Sequence, residues 1–226
     1  AVMRSMGLKL STGTLIKTGF GKNRGEGLSF SSNVKEELSR QLSMARHCQI
    51  AEIAAIISLS GRVHRFGRDR FCIKIHTENV AVARKYFTLL RKAFNIKAEV
   101  AIRKNREVFS CSVVVRKDRE ARRLLKETCL LDSDGNIHEC MSLIHNQLLR
   151  QNCCRRAFLR GAFLAAGSVS DPEKSYHFEM VCSSQKKAEQ IQELLVQYQI
   201  DAKTILRKRH YVVYVKEGSQ IVELLG

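Results

Sequence analysis

Ile53-Ala54-Ala55-Ile56-Ile57-Ser58-Leu59-Ser60-Gly61 and, about 105 residues later, Leu159-Arg160-Gly161-Ala162-Phe163-Leu164-Ala165-Ala166-Gly167 present one pattern twice: an apolar, small-residue-rich helix stopped by glycine. Ala51, Ala55 and Leu59 recur at helical spacing in the first segment, and Ala157, Gly161 and Ala165 do so in the second. Stripes of this kind let two helices pack backbone-close across a pseudo-twofold axis. Gly61 and Gly167 close the two segments.

A second pattern recurs downstream of each helix. Ile96, Ala98, Arg103 and Lys104 are matched by Ile200, Ala202, Arg207 and Lys208 in the order Ile-x-Ala-x-x-x-x-Arg-Lys. Two features at nearly constant offset indicate a duplicated unit.

The first unit reads as a helix over about 48–60 and strands Arg62 to Phe66 and Arg70 to Thr77. An amphipathic helix Asn79 to Phe94 follows, then a hairpin of Ile96 to Lys104 with Val108 to Val115, then a helix capped by Asp118. The second unit repeats the order, with helix 153–166, strands from Ser168 and over 175–182, helix 184–198, strands 200–207 and 210–216, and a last helix just begun. Helices falling between antiparallel hairpins indicate an α+β fold of two αββαββα repeats.

The expected organisation is a disordered basic leader over 1–28, an N-terminal helix within 29–47, and repeat 1 over 48–128. A linker with its own helix spans 129–152, that helix ending near Arg150, and repeat 2 covers 153–226. Ser31 or Ser32 is the expected cap of the first helix, which runs through Val34, Leu38 and Leu42 with Lys35, Glu36 and Glu37 outward.

Thirty-nine Lys+Arg against 22 Asp+Glu give a formal charge of +17, spread along the chain, which favours a polyanionic partner and above all nucleic acid. The eight cysteines form no Cys-x-x-Cys and no Cys/His group with zinc-finger spacing, so neither a metal nor any other cofactor is expected. Adjacent Cys153 and Cys154 read as small buried hydrophobes. Reduced thiols, no signal sequence and no apolar run of bilayer length point to a cytoplasmic, nucleoid-associated protein with no membrane partner. No Ser-His-Asp or Cys-His arrangement and no nucleotide-cradling loop is evident.

The nine-residue segments resemble the LAGLIDADG motif of homing endonucleases in its two-repeat, single-chain form. In those nucleases the acid before the motif glycine holds the catalytic divalent metal. Here the positions are Ser60 and Ala166, and a hydroxyl and a methyl cannot replace a carboxylate toward Mg²⁺, so no catalytic residue is expected.

The resemblance narrows to the bacterial WhiA family. It is carried by Ser29-Phe30-Ser31-Ser32-Asn33-Val34-Lys35-Glu36-Glu37-Leu38, by the run Cys153-Cys154-Arg155-Arg156 through Gly167-Ser168-Val169, by Thr77-Glu78-Asn79 with Ala81 and Ala83-Arg84, and by Leu206-Arg207-Lys208. Membership implies a degenerate LAGLIDADG domain followed by a helix-turn-helix. It also implies DNA-binding transcription regulation in sporulation, chromosome segregation and cell division. The chain departs from that pattern in its leader and in ending where the helix-turn-helix should begin.

In the parent fold two sheets form a saddle over duplex DNA, which makes basic hairpin residues the candidate contacts. These are Arg62, Arg65, Arg68, Arg70, Lys74, Lys97, Arg103, Lys104 and Arg106, then Lys174, Lys203, Arg207, Lys208, Arg209 and His210. The tips Lys104-Asn105-Arg106 and Lys208-Arg209 are expected to recur symmetrically, and strand alternation allows one of each Arg-Lys pair to face the saddle. Phe66, Phe71 and Phe109 read as strand or core residues.

The leading expectation is a catalytically inactive module binding double-stranded DNA weakly or without sequence preference, with a regulatory protein partner. The alternatives are a metal-dependent nuclease using relocated acids such as Glu52 or Asp69, and a protein-interaction scaffold without DNA contact.

Overall fold

Helix α2 (Arg46–Ser60) has no solvent face along most of its length: Cys48 through Ser58 are all buried. A helix apolar on every side belongs between other elements. On one side lies its repeat mate, α5 (Asn152–Ala166), and on the other α3 (Val80–Phe94) and the first sheet. The structure is a computed structural model and describes residues 29–67, 70–105, 108–138 and 147–225. The expected leader over 1–28, together with Arg68, Asp69 and Arg106, lies outside them.

Repeat 1 continues from α2 through β1 (Gly61–Phe66), β2 (Arg70–Thr77), α3, β3 (Glu99–Asn105), β4 (Val108–Val115) and α4 (Asp118–Glu127). Repeat 2 runs α5, β5 (Gly167–Val169), β6 (Phe178–Cys182), α6 (Gln185–Val196), β7 (Lys203–Arg207), β8 (His210–Val215) and α7 (Gly218–Leu225). The sheets are antiparallel throughout, in the matching orders β1-β2-β4-β3 and β5-β6-β8-β7. The fold is α+β with two αββαββα units.

The repeated Ile-x-Ala has a local cause. Asn95 and Gln199 take the left-handed conformation, with φ of 55° and 60°, just after α3 and α6. The next amides then reach back, Ile96 N–H to the Leu90 carbonyl and Ile200 N–H to the Leu195 carbonyl, each at 3.2 Å. At α6 this is the Schellman closure, with Gln199 N–H also on the Val196 carbonyl, and at α3 it is the αL form, with Asn95 N–H on the Arg91 carbonyl; each buries the following apolar residue against the helix it ends. Ile96 and Ile200 therefore belong to helix ends rather than strands, and β3 and β7 start three residues later than expected, at Glu99 and Lys203. Strand β6 also starts late, at Phe178, because 170–175 is tied into a turn by Lys174 and Ser175 amides on the Asp171 carbonyl and by Ser170 Oγ on the Ser175 carbonyl.

Several local expectations are corrected. Helix α1 (Phe30–Arg40) is capped by Ser29, whose Oγ accepts from the Ser32 amide at 3.2 Å. Ser31 instead accepts from the Val169 amide at 3.2 Å, docking α1 on β5. Lys35 is half-buried over the Phe163 ring, and burial lowers its pKa. Leu42 lies past the end of α1.

Asp118 is not the cap of α4, a position held by Lys117. Its Oδ1 accepts from the Phe71 amide at 2.7 Å and so ties α4 to β2. The expected linker helix falls largely on 139–146, outside the described residues, leaving a 3-10 turn at Gln147–Leu149.

Gly61 and Gly167 stop their helices without positive φ. Both are extended, at φ −80° and −86°. What they need is space: a Cβ at Gly61 would meet the Ile57 carbonyl, and one at Gly167 the Phe163 ring and backbone.

Candidate nucleic-acid interface

The motif helices lie side by side and parallel. Midway along them, a Cβ built on Gly161 would stand 2.5 Å from the Glu52 carbonyl oxygen and 3.1 Å from the Ala55 Cβ. Only a glycine admits that approach. Ala51, Ala55 and Ala157 of the two stripes are fully buried, and Leu59 and Ala165 are partly so.

At the C-terminal ends stand Ser60 and Ala166. The Ser60 hydroxyl donates to the Ile56 carbonyl at 2.9 Å, so its proton is engaged by its own helix. At the N-terminal ends four potential ligands converge, His47 and Cys48 from α2 with Cys153 and Cys154 from α5, their ligating atoms within 4.8 Å of one another. Burial pushes the Cys154 thiol up to about 12 and raises Cys48. Cys153, expected to be buried, is exposed. The sequence spacing rule missed this group because its two halves are about 105 residues apart. The matched offset of His47-Cys48 and Cys153-Cys154 before the paired motifs was the available signal.

Glu52 sits between the repeats and is fully buried. Its carboxylate takes a bidentate pair from Arg160, with Nε to Oε1 and Nη2 to Oε2 both 3.1 Å, and the Lys85 ammonium at 2.6 Å. Lys85 also donates to the Leu38 and Gln41 carbonyls at 3.0 and 2.7 Å, filling its three donor positions. Burial lowers the Lys85 pKa, opposed by the charge and hydrogen bond of Glu52. A carboxylate fully buried and neutralised by two cations is poorly placed to take a metal. Asp171, another acid beyond the motif, accepts from the Glu173 amide within its own turn.

Strand register decides which basic residues share a surface. Helix-facing residues of the first sheet include Phe71, Ile73, Ile75, Val113 and Val115, all buried. The opposite, open face carries Arg62 and His64 on β1, Arg70, Lys74 and His76 on β2, and Arg103 on β3. Arg62 stands across from Lys74. None of Arg62, Arg70, Lys74 and Arg103 is ion-paired with a described acid; Glu99, the acid of this face among the described residues, is bound by Arg116. Arg65 and Lys104 point the other way, over the rings of Phe71 at 5.9 Å and Phe109 at 5.2 Å. Phe66 and Phe109 are strand residues but exposed, and only Phe71 is core.

The second sheet's open face differs. Lys203, Ile205 and Arg207 on β7 lie beside Val212, Tyr214 and His210 on β8 and Glu179 and Val181 on β6. Arg207 lies 3.7 Å from Glu179, and Lys203 3.7 Å from Asp201. Lys208 and Arg209 form a two-residue hairpin loop with φ of 47° and 70°. The expected symmetry of the tips fails. The first hairpin closes at Asn105↔Val108, so Lys104 is a strand residue paired with Phe109, whereas Lys208 is in the turn. Lys174 is exposed in the turn before β6.

Comparisons with known proteins bear on these two halves directly. Residues 46–131 match the family model of the WhiA N-terminal LAGLIDADG-like domain, and residues 155–226 that of the WhiA LAGLIDADG-like domain. A probable cell division protein WhiA of Lachnoclostridium phytofermentans is 48% identical over 202 residues, covering 88% of this chain and 64% of that protein. The chain thus spans less than two thirds of that relative's length. Full-length DUF199/WhiA from Thermatoga maritima superposes with a TM-score of 0.65 at 20% identity, over 88% of this chain and 61% of that one. The homing endonuclease I-DmoI, solved in complex with DNA and Mn, gives 0.54 at 11% identity over 79% and 94% of the two chains. At those identities the structural likenesses establish the fold alone. Among the described residues no helix is long and apolar enough to cross a membrane.

Proposed function

The chain belongs to the WhiA family, and from that footing we propose that it is a catalytically inactive, DNA-contacting module of a transcriptional regulator acting in cell division, chromosome segregation and sporulation. The observation that carries the proposal is the open face of the first sheet, where Arg62, Arg70, Lys74 and Arg103 stand together without a described acidic partner. Side chains so placed contact phosphates, which hold a duplex in register without reading its bases. Sequence-specific reading is assigned to the helix-turn-helix that the family resemblance implies. The DNA held by I-DmoI in this fold is consistent with that surface.

Catalytic silence is supported at the motif ends, where neither Ser60 nor Ala166 offers a carboxylate to a divalent metal. Relocation of the acid to Glu52 is opposed by its burial between Lys85 and Arg160. The second sheet, with Val181 and Ile205 exposed on its open face, favours a subsidiary reading in which that half meets a protein partner.

The test is fluorescence anisotropy of the chain with a random-sequence duplex, titrated with salt. Engagement of three to four phosphates predicts a slope of log K against log[salt] of about −3. Failure to bind at about 50 mM salt retires the sheet as a DNA surface and leaves the scaffold.

A further inference from the structure

The starts of the two motif helices carry a side-chain group that DNA contact does not use. His47 Nδ1 lies 3.1 Å from Cys154 Sγ and 3.3 Å from Cys48 Sγ, and Cys153 Sγ completes a set within 4.8 Å. We propose that His47, Cys48, Cys153 and Cys154 form a tetrahedral Zn²⁺ site that clips the two repeats together at the N-terminal end of the helix pair.

Three sulfurs and one imidazole nitrogen are a Cys3His set, which structural zinc sites use. With Zn–S of about 2.3 Å the sulfur–sulfur edges of the tetrahedron are about 3.8 Å, so a cluster lying within 4.8 Å needs a contraction of at most about an ångström. Exposed His47 and Cys153 can make that adjustment and give the ion an entry path, while buried Cys48 and Cys154 supply a fixed floor. Thiolate-rich coordination selects a soft or borderline ion over Mg²⁺ or Ca²⁺.

Binding releases the three thiol protons to solvent and leaves His47 coordinated through unprotonated Nδ1, so the occupied site carries a net charge of −1. That charge is well placed. The parallel helices direct two N-terminal dipoles at it, and neither N-cap residue, Ala45 or Gln151, satisfies the first turn through its side chain. The site is not the nuclease metal position. Twelve residues of helix separate Cys48 from Ser60, about 18 Å.

Duplication explains how the ligands come together. His47 and Cys48 precede the first motif by the same offset as Cys153 and Cys154 precede the second, so the pseudo-twofold axis brings the pairs face to face. The clip joins segments remote in sequence, which is where a crosslink constrains the unfolded chain most. It is independent of whether the sheets contact DNA.

The test uses the full chain under a non-thiol reductant, with Zn²⁺ alone and then Co²⁺ alone as probe. Expected are one bound Zn²⁺ per chain after dialysis and a higher unfolding midpoint with Zn²⁺ than after chelation. Co²⁺ should give the visible bands of tetrahedral coordination with thiolate charge transfer. His47→Ala and Cys153→Ser, both at exposed positions, should each weaken Zn²⁺ binding by more than the roughly 100-fold that losing an outer-shell partner can cost. Cys129→Ser, exposed and outside the cluster, should change nothing.

Background metal content, an octahedral Co²⁺ spectrum, or retention of the ion by both variants each overturns the site. Metal content and the Co²⁺ spectrum of the unaltered chain decide the matter even if a variant fails to fold.

Discussion

The two sheets share strand order and left-handed helix closures, yet their open faces have diverged in charge. Residues 48–128 hold 19 Lys+Arg against 8 Asp+Glu, whereas residues 153–226 hold 11 against 8. On the first face Arg62, Arg70, Lys74 and Arg103 meet no described acid, while on the second Arg207 faces Glu179 and valine and isoleucine fill the strand neighbours. Fold symmetry is set by buried positions, which tolerate little change in volume. A sheet's outward positions answer to its partner instead. A duplicated scaffold can therefore keep one half basic and let the other turn toward a different contact.

The helix pair breaks the symmetry in the core as well. Glu52, Arg160 and Lys85 have Phe158, Ala54 and Glu189 at their repeat-equivalent positions, so the ion triad around buried Glu52 has no repeat counterpart. Glu52→Ala leaves Lys85 and Arg160 facing each other without an anion and should destabilise the chain by about 3–5 kcal/mol in urea unfolding. A triple change to Leu, Met and Leu at Glu52, Lys85 and Arg160 should recover most of that loss. Failure to do so would mean the triad fixes the helix pairing itself. Because burial lowers Lys85, the unfolded chain binds its proton more tightly. Stability should rise with pH between the depressed folded value and the usual lysine value of 10.5, a slope Lys85→Met removes.

Next in size is the charge comparison. Reversing Arg62, Lys74 and Arg103 to Glu should weaken duplex binding roughly a hundredfold and flatten the salt slope by about three, measured by anisotropy. Changing Lys203 and Arg207 together should flatten it by less than one. Equal effects from both sets would break the proposed asymmetry.

A smaller effect sharpens the hairpin contrast. Lys208 and Arg209 hold left-handed backbone that asparagine and glycine suit better, so Arg209→Gly should raise stability by about 1 kcal/mol in thermal unfolding. Smallest of all, Glu179→Gln frees Arg207 and should raise duplex affinity, by less than about fivefold given the exposure of that pair.

Much of the fold is legible in the chain itself. The paired glycine-stopped helices, the alternation of Phe71, Ile73 and Ile75, and the recurrence of Ile96 and Ile200 locate the repeat and its elements, because helical and strand periods are local. What they obscure is local too. Ile96 and Ile200 look like strand starts, and only hydrogen bonds to Leu90 and Leu195 reveal them as helix closures. Asp118 looks like a cap, and only the Phe71 amide shows what it holds.

The candidate surface was half visible. Charge located the basic hairpins, but parity along each strand and the exact turn position were needed to separate Arg103 from Lys104 and to move Lys104 out of the tip. Sequence by itself determined the duplication, the family resemblance and the loss of acids at Ser60 and Ala166, since each is a matter of residue identity at a spacing. Tertiary structure alone decided that Glu52 is locked between Lys85 and Arg160, that the basic residues of one sheet face stand clear of described acids while Arg207 on the other lies against Glu179, and that His47, Cys48, Cys153 and Cys154 meet. Those are contacts between residues far apart along the chain, and no local period records which distant side chains a fold will bring together.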